Sequence, residues 1–370
     1  MKPKNNSLSE TIEEEKPPPQ VKNLARKGSF FMPQNGLFPF YPLYSQNTLT
    51  KRQQHYYHTN GHSPLLKSLQ VKVFSQIDDC QKLWKDFSLN TTLFDTWDFR
   101  LAFWKGYNHT PYFLVLKNGL DNLALLPLWY EEDKKRYTWF GSTWQEENRF
   151  LVKDPLFIPL LLAICPSPVT LNAISIELPS WVEKVIKLKP DDPKYILNLQ
   201  TIGSVDDYFA TLKKKKRYNF KRDKRIIEAQ NPHISFDNFA DFDTLVGLSI
   251  KRFEEKGENT DWEDSRRIET FRQVIRLGKS GSSYQIRMLT VVIGERVAAV
   301  DLIAIFNGCY YPLKCGYNVK NFPGIGNYVN LLEIDDAINL GMEKMDFLEI
   351  GYGWKDKWFE KVPLLQYETK

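Results

Sequence analysis

The stretch that most constrains the fold runs from Tyr284 to Tyr317, YQIRMLTVVIGERVAAVDLIAIFNGCYYPLKCGY, where three apolar runs are separated by Gly294-Glu295 and Asn307-Gly308. Runs of this length, rich in β-branched and aromatic residues and joined by two-residue Gly-containing turns, read as consecutive antiparallel strands. The loop NVKNFPGIGN comes next. It leads into YVNLLEIDDAINLG, apolar at Val329, Leu332 and Ile338 and closed by Gly341, which reads as a helix with a C-terminal glycine cap. MEKMDFLEI supplies a further strand, and GYGWKDKWF follows it.

A looser version of this plan precedes it. LQVKVF, from Leu69, reads as a strand and DDCQKLWKDF as an amphipathic helix; PYFLVLKNGLDNLALLPLWY places apolar runs on both sides of Asn118-Gly119, and RYTWFGS continues the sheet. A chain of 370 residues has room for two domains, and 42% hydrophobic with 14% aromatic residues can supply both cores. The expected class is α/β (α+β), with one domain over 69–200 and a second over 201–363, each a mixed, largely antiparallel sheet flanked by helices. Ser204, with Asp207 three residues on, is a capping pattern that opens a helix through VDDYFATLKKKK. Residues 1–66 read as a disordered or extended tail. They carry the triple proline Pro17 to Pro19 and an aromatic run broken by further prolines, so no helical or strand period survives. His55, His58 and His62 fall there without a scaffold to hold a metal.

Several function classes recede on composition. Cys80, Cys165, Cys309 and Cys315 show no CxxC spacing, which favours free thiols over a disulfide framework or a zinc site. The longest apolar run, Pro155 to Cys165, is far short of the roughly 20 residues that cross a bilayer. The amino terminus has no apolar core of the signal-peptide kind, so the expectation is a cytoplasmic protein. After residue 110 the only histidine is His233, which leaves almost no material for a Ser-His-Asp or Cys-His engine. Dinucleotide fingerprints and Walker loops are absent.

What remains is the segment from Cys309 to Tyr328. Strand, then NFPGIGN, then helix brings bare backbone N–H groups to a helix N-terminus, an arrangement suited to a pyrophosphate, and Gly324 and Gly326 permit close approach. The plain alternative is an ordinary turn. Pro312 removes one ladder donor from its strand and favours an edge or a splayed pair.

These residues resemble the second domain of CelD-type acetyltransferases, a branch of the GNAT acyltransferase superfamily. The resemblance rests on Ala298 and Ala299 at the strand entry, Gly316-Tyr317 after the third strand, Pro323-Gly324 before the helix, the Asp346-Phe347 strand, and Gly351 followed by Trp354-Lys355. LFDTWDFRLAFWKGY and LALLPLWY are similar to the family's first domain, so the likeness spans about 69–363. Fem-type aminoacyl transferases of peptidoglycan synthesis share the tandem plan and a similar aromatic-lysine pair. The implied activity is transfer of an acyl group from acetyl-CoA or another acyl-CoA to an amine or hydroxyl of a sugar or cell-envelope precursor, without a metal. Where the superfamily has Arg or Gln before the first glycine of the acyl-CoA loop, this chain has Asn321, which keeps an aminoacyl-tRNA donor open. A noncatalytic nucleic-acid or envelope-associated binding protein is the alternative from another class.

The resemblance also implies roles. Pro323, Gly324, Ile325, Gly326 and Asn327 are the expected donor-binding loop. Lys355 is the candidate cation at the developing oxyanion. Asp346 is expected to orient it or act as a base, or else to be an acid on the open face of a strand. Asp301, in an otherwise apolar strand, is a buried charge that needs a partner or a use. Tyr317 either donates to the leaving group or closes the sheet. Trp354, Lys216 and Arg217 are expected to contact substrate. The last two belong to KKKKRYNFKRDKR, Lys213 to Arg225, which holds nine basic residues and one acid while the net charge of the whole chain is +5. With only Tyr218 and Phe220 as aromatics and no DNA- or RNA-binding motif, the run points to an anionic acceptor, donor phosphates or a tRNA, or to a plain solvated helix, and not to DNA.

Overall fold

The turns read from the sequence fall where strands meet. In a computed structural model that describes residues 69–370, apart from 143, 176–177, 282 and 351–352, Asn118 pairs with Asp121 across a left-handed Gly119, and Asn307-Gly308 turns with φ of 47° and 68°. All described residues lie in one unit, Pro64–Lys370. The tail expected over 1–66, with His55, His58 and His62, and the motif glycine Gly351 lie outside the described residues.

The first part of the chain builds β1 (Leu69–Phe74), α1 (Ile77–Phe87), α2 (Trp97–Tyr107), β2 (Thr110–Asn118), β3 (Asp121–Glu131), β4 (Arg136–Trp139), β5 (Leu151–Val152), α3 (Phe157–Ala163), β6 (Val169–Ser175), α4 (Ser180–Val185) and β7 (Lys189–Pro190). The second builds β8 (Lys194–Asn198), α5 (Val205–Thr211), α6 (Lys214–Glu228), β9 (His233–Phe236), α7 (Phe242–Glu254), α8 (Ser265–Lys279), β10 (Gln285–Ile293), β11 (Arg296–Phe306), β12 (Cys309–Tyr317), α9 (Ile325–Asn339), β13 (Lys344–Glu349), β14 (Glu360–Val362) and β15 (Leu364–Thr369). One sheet runs β1-β2-β3-β4-β6-β15-β7, with β5 on β3, and the other β9-β10-β11-β12-β13-β8-β14. Each is antiparallel except for one internal parallel pair, β4/β6 and β12/β13. The class is therefore the expected mixed α/β one, two sheets flanked by helices.

The two sheets exchange strands. β8, on the amino-terminal side of the division at 200, pairs with β13 in the second sheet, and β15, beyond 363, pairs with β6 in the first. A shared core joins the halves as well: Phe94 meets Tyr311 edge-on at 6.0 Å, and Phe103 meets Phe271 at 6.0 Å. Separate apolar layers cover the outer faces, around Leu161 and Leu171 on the first sheet and around Ile303 and Val329 on the second.

One element departs from the sequence reading. Ser204 caps α5 as expected, its Oγ accepting from the Asp207 N–H at 3.1 Å. The helix stops at Thr211, however, where Leu212 turns extended with ψ of 146°, and the lysines open the separate helix α6. Lys213 is non-helical as well, with ψ of 143°, so two consecutive residues leave the helical region between α5 and α6.

Candidate active site

The parallel pair β12/β13 has only two rungs, Cys309 to Lys344 and Tyr310 to Met345. Beyond them β13 keeps only its other neighbour, β8, which it pairs from Lys344 to Glu349, while β12 stays bound to β11 as far as Ala299 and Tyr317. Pro312, two residues past the last rung, has no N–H with which to extend the ladder. Cys309 to Tyr311 are buried, whereas Pro312, Lys314, Cys315 and Tyr317 are half-buried, so the edge of β12 that β13 leaves is less enclosed than its start. At the far end of β13, Leu348 and Ile350 adopt φ of 66° and 59°, a conformation that costs a branched residue on the order of 1–3 kcal/mol.

The start of α9 lies next to the edge of β12. Gly324 forms the N-cap with φ of 91°, which a side chain would resist. Ile325 N–H donates to Phe322 O and Tyr328 N–H to Gly324 O, while the N–H groups of Gly326 and Asn327 meet no acceptor among the described residues. A Cβ on Gly326 would touch the Tyr317 ring at 3.4 Å. Pro323 is exposed at the turn, and the Ile325 side chain is wholly core, so its contribution there is main chain only. Asn321 Nδ2 is held by Asn318 Oδ1 at 2.9 Å.

Lys355 is buried, and its Nζ donates to Glu349 O at 2.5 Å and Leu348 O at 3.5 Å. Burial lowers its pKa, with Glu146 and then Asp346 working the other way. Asp346 is not on an open face. It is 3% exposed, its Oδ1 accepts from Leu348 N–H at 2.9 Å, and Lys194 lies 3.5 Å from Oδ2. Burial raises the Asp346 carboxyl against the Lys194 charge; for Lys194 itself, burial is outweighed by Asp346 and Glu147.

Asp301 and Tyr317 form a second group on the α9 side of the sheet. Tyr317 donates to Asp301 Oδ2 at 2.6 Å, and the Glu333 carboxyl on α9 lies against Asp301 with both oxygens buried and without another partner among the described residues. Burial pushes Asp301 up to about 7, and burial with the Asp301 charge pushes Glu333 well above the carboxylate range. Two carboxyls so placed cannot both ionise. Burial and the Asp301 charge also hold the Tyr317 phenol well above its usual value, so Tyr317 keeps its proton and closes the sheet beneath α9.

The basic helix is tied to both parts of the site. Phe220 of α6 stacks on Trp358 at 3.7 Å, just past Lys355, and Asp223 accepts from Asn327 Nδ2 at 2.6 Å. Lys216 and Arg217 are half-exposed on the first turn, and the Lys216 charge is felt by Asp356. Trp354 lies edge-on to Phe347 and Phe359 at 6.5 and 6.2 Å, a packing position.

Sequence reasoning missed Glu146, Glu349, Lys194, Lys314 and Glu333. Glu333 had a signal, since Ile325, Val329, Glu333 and Ala337 form one i, i+4 stripe of buried residues. Glu146 sits in a loop, where no period exists to expose it. Among the described residues no group of three or more His, Cys, Asp or Glu is placed to hold a metal ion.

Residues 214–356 match the family model of the acetyltransferase (GNAT) domain. The chain carries a GNAT acetyltransferase domain. It is accordingly an acyltransferase enzyme, and the GNAT segment contains the parted strands, the start of α9 and Lys355. No curated protein matches the sequence. Among solved structures, FemX aligns with a TM-score of 0.53 at 9% identity over 80% of this chain and 97% of its own. A conserved protein from Bacteroides thetaiotaomicron aligns at 0.49 and 10% identity over 80% and 98%, and a tandem GNAT protein from the clavulanic acid pathway at 0.47 and 10% over 81% and 98%. At such identities the FemX likeness concerns the fold, which this chain shares across both halves. No helix among its described residues is long and apolar enough to cross a membrane.

Proposed function

We propose that the protein, as two GNAT-like halves of the CelD type over 69–200 and 201–363, transfers an acyl group from an acyl-CoA to an amine or hydroxyl of a sugar or cell-envelope precursor. The observation that carries this reading is the parting of β12 and β13 beside the open start of α9, inside the segment that matches the acetyltransferase model. The residues fit a pyrophosphate-bearing donor at the main chain: Gly326 and Asn327 have N–H groups free of described acceptors, at the positive end of a 15-residue helix. Pro323, Gly324, Ile325, Gly326 and Asn327 would hold the phosphates, with Lys216 and Arg217 adding positive charge. Asn321 in place of Arg or Gln and the Asp223 carboxylate beside the loop weaken that hold without blocking the N–H groups.

A thioester bound there supplies an acyl carbon open to attack and a thiolate that leaves. Lys355 is the cation for the developing oxyanion, pre-aimed by the Leu348 and Glu349 carbonyls. Asp346 acts through Lys194, Asp301 and Tyr317 hold α9 to the sheet, and Trp354 packs the segment that carries Lys355. The test is a thermal-shift titration with acetyl-CoA, longer acyl-CoAs and CoA. A ligand at 100 times its Kd stabilises by about 2.7 kcal/mol, an upward shift of several degrees. Unchanged melting with all of them would rule out CoA.

One observation favours a second donor, aminoacyl-tRNA. The first turn of α6 is Lys214 to Arg217 with no acid in it, four cations at the positive end of a helix, which invites a polyanion. That donor requires a steep fall of affinity for aminoacyl-tRNA with salt, and a flat response excludes it.

A further inference from the structure

Apart from Lys194 on β8, the residues given roles in acyl transfer lie beyond residue 200. One loop of the first half also reaches their site. Residues 145–149 are braced on both sides of Glu146. Gln145 Nε2 donates to Gly141 O at 2.8 Å, and Glu147 receives Lys194 at 2.5 Å. Asn148 N–H donates to Ala173 O at 2.7 Å, and Asn148 Oδ1 accepts from the buried Arg100 at 2.8 Å. Gln145, Glu147 and Asn148 are all buried, and Glu146 is half-buried. Its Oε2 accepts the Glu349 N–H at 2.5 Å, between the strained residues Leu348 and Ile350. The charges facing it are Lys355 from the turn after β13, Lys314 from the parted edge of β12, and Glu349 and Asp346 from β13.

We propose that Glu146, delivered by this braced loop of the first half, is the base that takes the proton of the attacking amine in the second half's site. The inference rests on the acyl-transfer reading. In the step, the amine nitrogen forms a bond to the acyl carbon and the C–S bond breaks with its electron pair leaving on sulfur. One N–H proton passes to the Glu146 carboxylate, which later releases it to water, and the thiolate takes a proton from solvent. The products are an amide and a free thiol.

The neighbouring carboxyls are unsuited to this role. Burial and then the Glu146 charge push Glu349 up to about 10, so it stays protonated at neutral pH, and Asp346 is engaged by Lys194 and the Leu348 N–H. Burial lifts Glu146 to about 7, opposed by the Lys355 charge. A base with that value is ionised above pH 7 and protonated below it, so the rate rises with pH up to about 7 and then levels.

Glu146→Gln tests this, because the amide oxygen still accepts the Glu349 N–H. With acetyl-CoA and a panel of amino-sugar nucleotides, wild-type kcat/KM climbs about tenfold per pH unit below 7. Glu146→Gln loses roughly 10²- to 10⁴-fold in kcat and loses that limb, with the acetyl-CoA thermal shift unchanged. Glu146→Asp keeps the limb at a lower rate. Independently of turnover, a carbon-13 carboxyl resonance of the ligand-free protein titrates near pH 7 and is missing from Glu146→Gln. A Glu146→Gln enzyme with the wild-type rate and limb, or a Glu146 resonance titrating at an ordinary carboxylate value, overturns the proposal while leaving acyl transfer intact. Failure of the wild type to bind or turn over any acyl-CoA overturns the underlying reading, and this inference with it.

Discussion

Each half contains a parallel strand pair that begins with two rungs, Tyr137 to Val169 and Thr138 to Thr170 in the first, Cys309 to Lys344 and Tyr310 to Met345 in the second. Past those rungs the two pairs diverge. In the first half Asn148 closes the gap: its N–H donates to Ala173 O, its carbonyl accepts from Ser175 N–H at 2.8 Å, and its side chain donates to Asn172 O at 3.0 Å. The first half's helix α3 is also sealed, because Asp154 accepts from Leu156 N–H through Oδ1 at 2.9 Å and from Phe157 N–H through its carbonyl at 3.0 Å. In the second half the strands part, and α9 begins on a glycine with the Gly326 and Asn327 N–H groups lacking acceptors among the described residues. The same topology thus satisfies its own backbone in the first half and leaves donors without described acceptors in the second, which is the feature the proposed site rests on.

The exchange of β8 and β15 makes the halves depend on each other, and removing one exchanged strand is the strongest way to break the comparison. Deleting residues 364–370 strips β6 and β7 of their shared partner and removes Leu364 from the core. Because β15 joins β6 to β7 and packs Leu365 and Tyr367 on the apolar layer around Leu161 and Leu171, the loss is expected to be a large part of the roughly 5–15 kcal/mol that holds a folded protein together. Urea unfolding by circular dichroism reads it. A truncated chain with the midpoint of the full-length protein would show that β15 is only an appendage.

Lys355→Met probes the open pair alone. Methionine fills the volume but leaves the Leu348 and Glu349 carbonyls without their donor, at a cost of about 1–3 kcal/mol in stability. If Lys355 is the oxyanion cation, kcat falls on the order of 10²- to 10³-fold with KM nearly unchanged. A variant that loses stability and keeps kcat would make Lys355 a strut for the strained end of β13.

Local chemistry made much of this legible in advance. Asn118-Gly119 and Asn307-Gly308 announce their hairpins because few residues tolerate the left-handed turn, Pro312 marks where the ladder ends, and Asp301 is conspicuous as an acid in an apolar strand. The strand exchange was not legible, since KYILN and LLQYET contain nothing that says which sheet each will join; that choice belongs to long-range packing. The break between α5 and α6 was missed because the Ser204 capping pattern marks where a helix starts and carries no signal for where it stops. Glu146 escaped for a third reason: its place is set by hydrogen bonds of Gln145, Glu147 and Asn148 to distant parts of the chain.

The smallest expected effect sharpens the contrast between the sealed and open helix starts. Asp223 of α6 stands beside Gly324, so close that a Cβ there would lie 3.0 Å from the Asp223 Cβ, and it bonds Asn327 at 2.6 Å. It is a partial counterpart of Asp154: a carboxylate at the positive end of a helix, although it engages the Asn327 side chain and leaves the main-chain donors free. Arg222 offsets some of its charge with contacts of 2.9 and 2.7 Å. Asp223→Asn keeps the shape and removes the like charge that an anionic donor must approach. The expected result is acetyl-CoA binding tighter by a few fold and stability lower by about 0.3–1 kcal/mol, the usual worth of a charge at a helix end. Calorimetric titration and a thermal melt read the two together. Tighter binding with weaker folding would mean that Asp223 balances stability against donor affinity. Weaker binding would mean that Asp223 positions the loop through Asn327, and the open start would then depend on that bond as the sealed start depends on Asp154.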